Sequence, residues 1–138
     1  MLAPMSSTDA ESLGRTDSFQ ERYLQAYRWM LLARIAEEKV AALYRGGKIV
    51  GGVFLGRGQE ALSASTGLIL RPGDIFAPLI RDQAGRFAFG EDVLDFFRTY
   101  LGSRLGPMRG RDGNIHRGRP LNGQYAMISH LGAMISAV

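Results

Sequence analysis

The residue best placed for chemistry is Arg81. It follows the apolar run Ile75–Ile80, which reads as a buried strand, and in open α/β sheets ligands gather beyond the carboxyl ends of strands. A guanidinium there can grip a diphosphate with two parallel charge-assisted hydrogen bonds. The residues alone leave a second reading open, an ordinary ion pair with Asp82 or another surface acid. Two readings also stand for His116, in the Arg- and Gly-rich stretch from Arg109: a group that orders the loop or touches a substrate, or a solvated loop histidine. His130 lies in an apolar setting and reads as a hydrogen-bonded core residue. Five Arg between Arg104 and Arg119 face one acid in the same stretch, Asp112. That excess suits anions, including nucleic acid, but the interleaved aromatics that would stack bases are missing, so nucleic acid is a minor alternative.

The whole chain shares this bias. Its 17 cations are all Arg except Lys39 and Lys48, giving a net charge of +4. Arg presents a planar fork of donors suited to phosphate and carboxylate, although a GC-rich genome produces the same excess. There is no Cys, which excludes disulfides, thiolate nucleophiles and cysteine-zinc sites and fits a reducing cytoplasm. No apolar run approaches the roughly 20 residues of a membrane helix, so no membrane association is expected. The 138 residues suffice for one domain with a modest core.

These side chains need elements to position them. Residues 1–18 read as a flexible polar tail. Ser18 reads as an N-cap, with Glu21 completing a capping box, for a helix from about Phe19 to Arg45 that Gly46-Gly47 stops. Leu24, Tyr27, Leu31 and Ile35 form one apolar stripe of that helix, and Leu32, Ala36, Val40 and Leu43 form its neighbour. Such a wide face implies contacts on two sides, part of it toward a partner chain. Residues 49–55 are Gly-broken and weakly strand-like. Gly58-Gln59-Glu60-Ala61 opens a second helix running to Leu70, with Glu60 complementing the macrodipole. Pro72-Gly73 is type II turn chemistry. Short helices are expected over Gln83–Phe89 and Val93–Leu101, a long loop over Ser103–Gln124 with five glycines, and a strand or turn passing into a helix from Tyr125 to Val138.

Taken in order, Gly58-Gln59-Glu60-Ala61, Leu70-Arg71-Pro72-Gly73-Asp74, Arg81-Asp82 and Arg109 to His116 resemble the N-terminal part of the alpha subunit of thiamine-diphosphate-dependent 2-oxo acid dehydrogenases, the pyruvate, branched-chain and acetoin enzymes. The likeness runs from about Tyr23 to Val138. It implies an α/β fold of the thiamine-diphosphate-binding type, present as its N-terminal part: helix-rich, with the start of a parallel sheet, over residues 19–138. It implies oxidative decarboxylation of a 2-oxo acid with acyl transfer to lipoyl groups, carried out with a beta subunit and a lipoyl-bearing acyltransferase. The implied cofactors are thiamine diphosphate and magnesium. The family's Gly-Asp-Gly metal segment is not in this sequence, so the metal ligands are expected outside it and the chain alone is expected to be inactive. A non-catalytic assembly or binding fragment of such a subunit is the main alternative.

By the same resemblance, Ile80 and Arg81 stand where family members commonly carry Tyr-Arg against the diphosphate, and with Ile80 the phenol donor is lost. Ile128 is the counterpart of the residue whose backbone meets the aminopyrimidine. Phe54 stands where pyruvate-type members often have a His, which leans toward a longer 2-oxo acid. His116 matches a loop His at the active-site mouth. No catalytic side chain and no metal ligand is assigned to this chain.

Overall fold

The computed structural model describes residues 7–111 and 116–126, with side chains from Ser18 onward. Four helices account for most of it: α1 Ser7–Arg45, α2 Glu60–Ile69, α3 Gln83–Ala88 and α4 Val93–Tyr100, with a 3-10 turn at Pro120–Asn122. Helices α2 to α4 fall where the periodicity places them. The beginning of α1 does not: the helix extends back to Ser7 through the stretch read as a tail, so Ser18 is interior to it and is not its N-cap.

The two stripes of α1 have different fates. Ala33, Ala36 and Val40 are buried with Ile49, Ala64, Ala84, Phe87, Phe96 and Tyr100, and Leu32 and Leu43 pack against that core. Leu24, Tyr27, Leu31 and Ile35 stay largely exposed, as do Phe19 and Tyr23. The core is ringed by aromatics: Phe96 meets Phe87 at 5.4 Å and Tyr100 at 5.0 Å between ring centroids, both edge-on.

Helices α2 and α3 meet through small residues. A Cβ on Gly67 would stand 2.3 Å from the Gly85 carbonyl oxygen, and the Gly85 amide donates to Ser63 Oγ at 2.8 Å. That close contact holds the N-terminal end of α3, and Arg81 just before it, against α2.

The expected parallel sheet does not form among the described residues. The Ile75–Ile80 run makes one parallel bridge, Phe76 to Gln124, with the Phe76 amide donating to Gly123 and the Tyr125 amide donating back to Phe76. Pro78 explains the shortness: it is fully buried and has no amide to continue a ladder. Residues 49–55 form no strand either, interrupted by Gly51 at φ 100. The long loop is confirmed in its described part, with the 3-10 turn as its only helical piece there.

Candidate functional site

Arg81 lies on a turn, not at the end of a strand. The Asp82 carboxylate accepts the Leu79 amide at 2.8 Å and the Asp82 amide donates to the Leu79 carbonyl at 3.1 Å. Asp82 therefore serves its own backbone and forms no ion pair with Arg81. Among the described residues Arg81 has no acidic partner; it is exposed, with its guanidinium carbon 6.0 Å from the Phe54 ring centroid. Phe54 is itself 37% exposed. Two residues singled out separately in the sequence thus form one surface, a cation over an aromatic face. Ile80, half-buried in the same turn, offers no polar side-chain group.

The segment carrying Phe54 is tied down from two sides. The Glu37 carboxylate accepts the Gly56 amide with both oxygens, at 3.0 and 2.9 Å. The Glu60 carboxylate accepts the Gly58 amide at 2.8 Å and pairs with Arg34, whose Nε donates at 2.7 Å. Burial pushes the Glu37 carboxyl above the ordinary carboxylate range, against the pull of the Gly56 amide. For Glu60, burial also acts upward, but hydrogen bonds from its own amide, Arg34 and Gly58 win and hold it low. The sequence presents Glu37 as part of a polar face; it is buried between Ala33, Ala36 and Val40. Its place four residues after Ala33 and three before Val40 was the available signal.

The second half of the site is buried. Arg117 donates to Glu91 through Nε and through Nη2, the latter at 2.9 Å to Oε2, and Nη2 also donates to the Gln83 side-chain amide oxygen Oε1. Gln83 in turn donates to Glu91 at 2.8 Å. The Arg117 guanidinium lies 5.3 Å from the Phe96 centroid and 5.9 Å from Tyr100. Arg86, fully buried on α3, donates to the Arg117 carbonyl at 3.1 Å, while its Nε and Nη2 find no partner among the described residues. Burial first and the Arg117 charge second lower the Arg86 pKa to about 10. Glu91 is held below the ordinary range: burial acts upward, but Arg117 outweighs it.

This cluster corrects one inference from composition. Two of the five loop Arg residues find acids outside the loop: Arg117 pairs with Glu91 and Arg119 with Asp95. Gln83, two residues after Arg81, thereby connects the turn to the loop and fixes the residue next to His116. His116 is half-buried beside that anchor. Ile128 and His130 lie outside the described residues. Among the described residues no group of three or more His, Asp or Glu stands together as a metal site, and no helix is long and apolar enough to cross a membrane.

No family model matches the chain. Among curated proteins, the pyruvate dehydrogenase E1 component subunit alpha of Rhizobium meliloti (strain 1021) is 34% identical over 117 residues, 85% of this chain and 34% of that protein. The subunit of the same name from Rickettsia conorii is 29% identical over 123 residues, covering 89% and 38%. The chloroplastic subunit alpha-3 of Oryza sativa subsp. japonica is 32% identical over 97 residues, covering 70% and 23%. The chain spans about a third of the length of the curated relatives it matches. Over the aligned stretch, the chain is a member of the alpha-subunit family of the pyruvate dehydrogenase E1 component.

Proposed function

We propose that this chain supplies the diphosphate-anchoring part of an alpha subunit in a 2-oxo acid dehydrogenase complex that decarboxylates a 2-oxo acid oxidatively and passes the acyl group to lipoyl groups. The observation that carries this is Arg81: an exposed guanidinium with no acidic partner among the described residues, held on a braced turn. A pyrophosphate group fits such a donor set, with two N–H groups of the fork to two phosphate oxygens. Thiamine diphosphate, when bound, supplies the electron sink for decarboxylation, and the protein's contribution is orientation and electrostatics. In this reading Arg81 binds phosphate, Phe54 walls off water beside it, Ile80 adds apolar cover, and His116 and the backbone at Ile128 lie toward substrate and cofactor. Magnesium would be held by residues outside this chain. Phe54 leans the pocket toward a 2-oxo acid longer than pyruvate, while the relatives carry pyruvate dehydrogenase names.

The exposed stripe Tyr23, Tyr27, Leu31 and Ile35 supports pairing with a beta subunit, since aromatics are enriched at interfaces. A lipoyl-bearing acyltransferase would receive the acyl group, and the cysteine-free sequence suits the cytoplasm. The nucleic-acid alternative loses support because Arg117 and Arg119 are committed to Glu91 and Asp95.

Co-expression with a beta subunit tests the proposal. In the resulting complex Arg81→Ala should weaken thiamine diphosphate binding by roughly 1.5–3 kcal/mol, the range for a hydrogen bond to a charged group. Arg81→Lys should recover part, keeping charge without the fork. Cofactor affinity unchanged in the Ala variant would remove Arg81 from the site.

A further inference from the structure

We infer that Glu37 is the positioning residue for Arg81, acting through the Gly56 amide. Gly56 is wedged between the two: a Cβ there would stand 2.2 Å from the Arg81 carbonyl oxygen and 3.3 Å from Glu37 Oε1. No other residue type leaves room for both contacts. The same segment touches Arg81 twice, at the main chain through Gly56 and at the guanidinium through the Phe54 ring. A carboxylate on α1 therefore sets where the Arg81 fork points, and small displacements of such a group are costly to binding and catalysis.

Helix packing does not explain a Glu at this position. Its neighbours on the buried face are Ala33, Ala36 and Val40, and Glu37 is 3% exposed. An apolar side chain would meet the demands of that face without the cost of burying a charge. No salt bridge compensates Glu37 among the described residues; its hydrogen-bonding is spent on the Gly56 amide. The charged and titratable groups around it are Arg34 and Glu38 on α1, Arg57 in the loop, Glu60 on α2 and Tyr100 on α4.

The consequence for cofactor binding rests on the reading of Arg81 as the diphosphate anchor, whereas the positioning does not. Amide and arginine Nε resonances of the 138-residue chain therefore test it without any ligand. The Gly56 amide should titrate with Glu37, at a pH above that at which the Gly58 amide reports Glu60, because the two carboxyls are displaced in opposite directions. Glu37→Gln should abolish the Gly56 titration and leave that of Gly58. The Arg81 Nε–H should carry a ring-current shift that Phe54→Leu removes. Glu37→Ala should move it toward the Phe54→Leu value and speed Gly56 exchange by roughly tenfold or more, while Glu37→Gln, which keeps an acceptor, preserves much of both. Arg81 Nε–H and Gly56 exchange unchanged in Glu37→Ala would overturn the inference. If that variant does not fold, a Gly56 titration that persists in Glu37→Gln overturns it equally. Failure of magnesium pyrophosphate to perturb any of these signals would count against the diphosphate reading alone.

Discussion

The two arginines that frame the site, Arg81 and Arg117, are used in opposite ways. Arg117 is buried and its fork is taken up by Glu91 and Gln83, with Phe96 and Tyr100 alongside. The Arg81 guanidinium is exposed and, among the described residues, lies against the Phe54 ring with no acid beside it. Burying a guanidinium is costly unless it is paired, and Arg117 has its charge committed to holding the loop on α3 and the start of α4. An exposed one without an acid keeps its donors for a ligand. The difference separates an arginine that holds structure from one that is available to bind, and Gln83 carries the first to within two residues of the second.

The comparison breaks most visibly at Arg117. Removing it leaves Glu91 buried beside Arg86 without its main hydrogen-bonding partner, and breaking such a pair costs about 3–5 kcal/mol. Urea denaturation of Arg117→Ala should show that loss; a change near zero would mean the cluster holds nothing. A subtler test uses pH. The Glu91 carboxyl is depressed in the folded state, so its contribution to stability is present above the ordinary carboxylate range and is lost as pH falls through its folded value. Glu91→Gln should therefore flatten the acid side of the stability profile, and an equally steep fall in the variant would contradict the assignment. The smallest effect belongs to Arg81. As an exposed side chain without an ion pair among the described residues, Arg81→Ala should alter unfolding stability by no more than about 0.5 kcal/mol. A larger loss would place it with Arg117 as a structural residue.

Local pattern made part of this legible. The extents of α2, α3 and α4 follow from apolar periodicity and turn residues, and the buried stripe of α1 was readable through Ala36 and Val40. The strand at Ile75–Ile80 failed because its apolar character outweighed Pro78 in the reading, although a buried proline removes the donor a central strand needs. Ser18 resembled a cap because Ser followed by Glu at the third place is only a local signal, and the helix runs through it. Of the site, Arg81 and Phe54 were found, but their contact spans residues far apart in the chain and no spacing encodes it. Glu37, Gln83, Glu91 and Arg117 were missed for the same reason: each looks like an ordinary surface polar residue until the fold brings its partner to it. Glu91 sits just ahead of α4, where an acid serves a helix start, and nothing local points to residue 117.

In the proposed reading Arg81, with no acid beside it among the described residues, takes a diphosphate and Arg117 does not. Titrating magnesium and thiamine diphosphate into the 138-residue chain, followed by backbone amide and arginine Nε resonances, tests it most directly. Binding should be weaker than micromolar, since the metal-holding residues that neutralise phosphate charge are expected elsewhere. The perturbations should centre on Arg81 and the 54–58 segment, spare Arg117, and vanish in Arg81→Ala. Shifts confined to the exposed Arg104, Arg109 and Arg111 and unchanged in Arg81→Ala would contradict the account.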